Sequence, residues 1–221
     1  MKVGLILCDH VHPDYVKQFG NYPTMFSDLF PDYHLKIYDV TKLEFPNDID
    51  ECDAYMGTGS KFSVYDSHEW ITETLKFVRQ LYQAKKCFVG VCFSHQLIGQ
   101  ALGGEVTRNE LGWSVGVHRF DPLGFNLLMM CQDHISSCPP QTKVIASTPK
   151  CPNAMIQVGE HFLGVQAHPE FTKAYDRVLM ENRVDRMGQL TVEQGIQSLD
   201  IPVHREEIKA YISAFILNNQ R

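Results

Sequence analysis

Short apolar runs alternate with amphipathic stretches along the first hundred residues. Residues 2–8 (KVGLILC), 34–40 and 54–56 have the length and apolar content of buried strands, and helix-like segments separate several of them. Residues 66–84 (DSHEWITETLKFVRQLYQA) place Trp70, Thr74 or Leu75, Val78, and Leu81 or Tyr82 at helical spacing with charges between them. Residues 87–91 supply another strand, and residues 93–102 a helix whose pairs Leu97/Ala101 and Ile98/Leu102 lie one turn apart; Gly103-Gly104 then stops it. This alternation predicts an α/β fold with a mostly parallel central sheet flanked by helices, the functional groups gathering at the carboxyl ends of strands.

The pattern changes over residues 105–163. Strand-like pieces at 114–120, 125–130, 143–146 and 154–158 are separated by Gly, Pro and Asn/Asp turns, which predicts a small antiparallel extension. The chain then returns to helix. Ile208, Tyr211, Ile212, Phe215 and Ile216 form a stripe at i, i+3, i+4, i+7 and i+8 that is expected to cover core. No repeat, low-complexity tract or linker divides the chain, so residues 1–221 are expected to form a single domain.

Composition narrows the classes of function. With 44% hydrophobic and 21% charged residues, the 221-residue chain is ordinary for a globular protein with a substantial core. Its formal net charge of −6 lacks the basic footprint of nucleic-acid binding. The N-terminal apolar run meets Asp9 before it reaches the length of a signal segment or a membrane span, so a cytoplasmic protein with no membrane partner is expected. Seven cysteines (Cys8, Cys52, Cys87, Cys92, Cys131, Cys138, Cys151) form no C-x-x-C pair, and free thiols are the expectation. Cys8, His10 and His12 alternate in CDHVH as conceivable metal ligands but have no companion pair at a recognisable spacing; no metal is expected.

One cysteine stands apart. In FVGVCFSHQLIGQALGG, Cys92 falls between a strand and a helix, where the turn would present its side chain outward as a nucleophile elbow. The helix dipole and unpaired N–H groups there favour the thiolate, although a small buried hydrophobe is the commonest fate of a free cysteine. In GVQAHPEF, His168 ends a second strand-like run, and Pro169 disfavours helical backbone before it. Glu170 stands where a carboxylate would orient the imidazole, unless it serves only as a first-turn acid of a helix opened by Pro169. MGTGSKF, residues 56–62, is a glycine-containing loop that matches neither a P-loop nor a dinucleotide fingerprint. An amide at Gly59 or Ser60, with that of Phe93 after the nucleophile, fits the pair of donors an oxyanion requires; a tight turn is the plainer reading of that loop. Asp133-His134 reads as a polar loop bordering the cleft, and His95 as a residue set by packing or exposure.

Gly90-Val91-Cys92-Phe93-Ser94-His95-Gln96 followed by His168-Pro169-Glu170 resembles the class I, triad-type glutamine amidotransferase family, whose pattern is G-x-C-x-G-x-Q and later H-P-E. GTGSKFSVYD and ALGGEVTRNELGW add a resemblance to its stand-alone GMP-synthase-like members and to γ-glutamyl peptidases. The resemblance implies a three-layer, flavodoxin-like fold, with Cys92 as nucleophile, His168 as general base and acid, Glu170 as orienting carboxylate and Gln96 near the substrate. It implies glutamine or a γ-glutamyl small molecule as ligand, no cofactor, and either a separate synthetase subunit that consumes ammonia or a free-standing hydrolase. Ser94 departs from the pattern, standing where the family usually has glycine; it is expected to be tolerated with slight rearrangement, or to narrow the site and change the substrate. A catalytically weak binding or regulatory relative is the reading that this departure motivates.

Overall fold

Strands β1 (Lys2–Leu7), β2 (His34–Asp39), β3 (Ala54–Gly57) and β4 (Phe88–Val91) are built from the apolar runs of the N-terminal half. They lie side by side in the order β2-β1-β3-β4, all parallel, in a computed structural model that describes residues 1–219. The next neighbour of β4 comes from far along the chain: β11 (Phe162–Val165) pairs with it in parallel, from Phe162 opposite Phe88 to Val165 opposite Val91. Two antiparallel strands, β10 (Cys151–Val158) and β9 (Thr142–Thr148), complete the seven-stranded sheet. β1 sits where the connections diverge, toward β2 on one side and β3 on the other, so the crevice beyond its carboxyl end is a topological switch point.

Period-two alternation divides the strand residues between two cores. Val3, Leu5 and Leu7 of β1, with Val89 and Val91 of β4, face helices α2 (Tyr22–Leu29) and α8 (Arg205–Asn218). Ile6 and Phe88 face the opposite layer, α3 (Glu69–Gln83) and α4 (Phe93–Ala101). Within α3 the buried stripe is Trp70, Ile71, Thr74, Phe77, Val78 and Leu81, while Leu75 and Tyr82 are half-buried. Ile208, Ile212 and Ile216 of α8 are fully buried, with Tyr211 and Phe215 packed against the same core. The terminal stripe therefore covers the sheet, as its spacing predicts.

The antiparallel middle segment is larger than its sequence pattern indicates. β9 and β10 extend the main sheet, while β6 (Ser114–Phe120) with β7 (Phe125–Cys131), and β5 (Glu105–Arg108) with β8 (Asp133–Ser137), form two separate two-stranded ribbons. Strands β5 and β8 have no apolar run, and β8 includes Asp133 and His134, which the pattern assigns to a loop. They form because the ribbon closes over α4, a contact that local sequence does not announce. The shorter helices α1 (Pro13–Phe19), α5 (Lys173–Glu181), α6 (Val184–Met187) and α7 (Gln189–Ser198) complete the chain, α5 and α7 packing on β6.

Candidate active site

Parallel pairing of β4 with β11 brings Cys92 and His168 together from positions far apart in the sequence. Cys92 follows β4 directly, and His168 lies just past the carboxyl end of β11. The Cys92 N–H donates to the Val165 carbonyl at 2.9 Å, and the Cys92 carbonyl accepts from the Gln96 N–H at 3.1 Å. Cys92 is thus bonded to the neighbouring strand and to its own helix. It adopts φ 50° and ψ −102°, a strained conformation for a residue with a Cβ. This is the elbow expected from the sequence.

The His168 N–H donates to the Leu128 carbonyl of β7 at 2.8 Å, and its ring stacks on Phe171 with centroids 4.0 Å apart and planes 10° apart. Nδ1 lies 2.7 Å from Oε1 of Glu170, within a site where Cys92, His168 and Glu170 are 5%, 3% and 2% exposed. Such burial makes a charged hydrogen bond strong and leaves Nε2 as the ring nitrogen without a carboxylate partner. Burial opposes charge on the ring, but Cys92 and Glu170 facing it outweigh that effect and hold His168 well above its ordinary value. Glu170 is not a helix acid: α5 begins at Lys173, capped by the Thr172 hydroxyl accepting from the Tyr175 N–H at 3.1 Å. Pro169 therefore opens no helix; residues 169–170 form a turn that sets the Glu170 carboxylate against the imidazole.

The 56–62 loop closes the other side. A Cβ on Gly59 would lie 2.7 Å from Cε1 of His168 and 3.5 Å from the Cys92 Cβ, so only glycine permits this approach. Ser60 lines the cleft, and Phe93, first residue of α4, has an N–H without an intrahelical acceptor. Gln96 also lines the cleft; its amide nitrogen donates to the Asp133 carbonyl at 2.9 Å and to Oε1 of Gln166 at 3.2 Å. The cleft has a volume of ≈ 360 Å³, within the roughly 300–1,000 Å³ usual for small-molecule sites.

The structure decides between several open alternatives. Ser94 does not narrow the cleft: it is fully buried beneath the loop, and its hydroxyl donates to the Thr58 carbonyl at 2.7 Å. His95 is also fully buried, against Gly164, and burial pushes its imidazole down to about 3. Asp133 is a cleft residue, as expected, but on a strand, where it accepts a 2.5 Å hydrogen bond from the Ser63 hydroxyl. The CDHVH residues disperse: Cys8 lies 3.6 Å from the Ser94 hydroxyl, His10 pairs with Asp39 at 3.0 Å, and His12 accepts from the Asp14 N–H at the start of α1. Among the described residues no three His, Cys, Asp or Glu side chains converge on a metal position.

Other cleft residues were not among the candidates that the sequence pattern offers. Asp9, at the carboxyl end of β1, accepts from the Lys61 N–H at 2.9 Å and from its ammonium at 3.0 Å. Its place beyond the first strand is a signal that the crevice rule uses. Arg183 and Arg186 line the far wall, the latter 5.7 Å over the Trp113 ring, and no local pattern points to them.

The family model for glutamine amidotransferase class-I matches residues 57–187, more than half of the chain, and the protein belongs to that family. It is 27% identical over 202 residues to γ-glutamyl peptidase 3 of Arabidopsis thaliana, covering 79% of this chain and 80% of that protein. It is 31% identical over 118 residues to a glutamine-hydrolyzing GMP synthase of Aeropyrum pernix, covering 48% of this chain and 23% of the synthase. The solved structure of a glutamine amidotransferase from Thermotoga maritima superposes with a TM-score of 0.73 at 15% identity, covering 97% and 98% of the two chains; it shares the fold. No helix among the described residues is long and apolar enough to cross a membrane.

Proposed function

We propose that this protein hydrolyses the γ-glutamyl amide bond of glutamine or of a γ-glutamyl compound through a thioester on Cys92. The observation that carries this reading is the buried His168–Glu170 hydrogen bond held beside a strained cysteine at the ends of two adjacent parallel strands. Cys92 gives its proton to His168 and its sulfur adds to the γ-carbonyl carbon, moving the π electrons onto oxygen. The N–H groups of Phe93 and of Gly59 or Ser60 stabilise that oxyanion. As the tetrahedral species collapses the C–N bond breaks, and the His168 proton goes to the departing nitrogen. A water that loses a proton to His168 then adds to the thioester; collapse of this second intermediate breaks the C–S bond, and the imidazolium returns its proton to the Cys92 thiolate as glutamate leaves.

Likeness to γ-glutamyl peptidases over four-fifths of both chains favours a free-standing hydrolase, and a cleft of ≈ 360 Å³ has room for a leaving group larger than ammonia. Likeness to a GMP synthase over 118 residues, 23% of that protein, supports the second reading, a glutaminase that passes ammonia to a separate synthetase.

Intact-protein mass spectrometry after reaction with a γ-glutamyl-directed affinity label, followed by mapping of all seven cysteines, tests the mechanism. Labelling confined to Cys92 is expected. Absence of label at Cys92 in folded, reduced protein would overturn a free-standing reaction in favour of a partner-gated subunit or a binding role. Cleavage of γ-glutamyl peptides by the protein alone selects the hydrolase; glutaminase activity that requires a partner selects the subunit.

A further inference from the structure

The geometry points to Ser94 as a positioning residue that locks the Thr58–Gly59 peptide so that the Gly59 N–H faces the oxyanion; this rests on the proposed thioester chemistry. Ser94 lies in the first turn of α4, two residues after Cys92, and is fully buried. Its hydroxyl donates to the Thr58 carbonyl at 2.7 Å from below the loop. A peptide is planar and trans, so its N–H points opposite to its C=O. Holding the Thr58 carbonyl down toward Ser94 therefore turns the Gly59 N–H away from Ser94, to the opposite side of the loop.

The surroundings are built for this contact. Gly59 donates no hydrogen bond to any described residue, leaving its N–H free for a ligand. The Thr58 hydroxyl, accepting from the Cys8 N–H at 3.0 Å, donates to the Gly59 carbonyl at 3.0 Å, which fixes the following peptide as well. Room for the serine comes from Gly57 at the end of β3: a Cβ there would lie 2.6 Å from the Ser94 Cβ and closer still to its hydroxyl. Glycine at position 94, the residue usual in the family pattern, has no atom that reaches Thr58. The side chain that departs from the pattern thus ties the nucleophile's helix to the opposing loop, where flipping the peptide would break a buried hydrogen bond and replace a donor by a carbonyl.

The test compares wild type with Ser94→Ala and Ser94→Gly in two reactions of Cys92. Alkylation by iodoacetamide forms no oxyanion and is expected to stay within about twofold of wild type. Acylation by a γ-glutamyl substrate, read as thioester formation, is expected to fall roughly 10- to 100-fold with KM little changed, less than the roughly 10²- to 10³-fold loss on removing one oxyanion donor outright. Acylation at the wild-type rate, or parallel loss of both reactions, overturns the lock. Wild type that forms no thioester instead overturns the proposed function, and the lock is then judged by crystal structures of the folded variants. A second orientation of the Thr58–Gly59 peptide is expected in them, and an unchanged, equally ordered peptide overturns the inference.

Discussion

Glu170 and His168 form a buried pair, Oε1 to Nδ1 at 2.7 Å, although only Pro169 separates them and no helix joins them. The pair orients the ring, whereas Cys92 and the other ring nitrogen are the groups assigned to bond making and proton transfer. Cys92→Ala and His168→Ala are therefore expected to reduce turnover of a γ-glutamyl substrate to background, by roughly a million-fold. Glu170→Gln should retain measurable turnover, with kcat lowered roughly 10²- to 10⁴-fold. Steady-state kinetics on the three variants, each shown to be folded, checks the ranking; unimpaired Cys92→Ala would sink the mechanism.

Thiol reactivity should separate Cys92 from the interior cysteines. Burial pushes Cys8, Cys87 and Cys151 up to about 12, so at pH 7.5 (roughly neutral conditions) they are protonated as well as inaccessible. Cys92 lines the cleft. With limiting iodoacetamide, peptide mapping is expected to find Cys92 modified first. Half-buried Cys138, whose thiol burial also raises, should react later, and the three interior thiols only after denaturation.

Gly59 is required for space more than for backbone freedom, since the clash an added Cβ makes is with His168. Gly59→Ala is expected to displace the ring and lower kcat by about 100-fold or more, the effect of misplacing a catalytic group by about 1 Å. The melting temperature should change by only a few degrees, because the core beneath is untouched. A variant with wild-type turnover would show that the loop yields instead.

Asp176 on α5 is a buried acid behind the site. Burial pushes its carboxyl up to about 7, with the His168 charge and the Gly116 amide pulling the other way. A folded-state value above the unfolded one means that the proton stabilises the native state: the contribution is complete below about pH 4 and is lost as pH rises through about 7. Relative to Asp176→Asn, wild type should lose stability across that window, by an amount on the order of 4 kcal/mol. Denaturant unfolding at pH 5 and pH 8 checks this, the asparagine variant gaining ground at the higher pH.

The sequence by itself determined the elements whose signal is local. Apolar runs define β1, β3 and β4 because strands buried on both faces need nearly every position apolar, and residues 70–81 and 208–216 carry helical stripes because each helix meets the sheet along one face. Cys92, His168 and Glu170 stood out as candidates for a similar reason: each follows a strand, and the residue types are those the proposed chemistry requires. Tertiary structure decided what depends on neighbours distant in the chain. The polar strands β5 and β8 exist because a ribbon closes over α4, and the pairing of β4 with β11 sets His168 beside a cysteine 76 positions earlier, the difference between 168 and 92. Whether Ser94 obstructs the site or braces it depended on the missing Cβ of Gly57 and the direction of one carbonyl. Packing fixes such directions in three dimensions, whereas spacing along the chain carries no information about them.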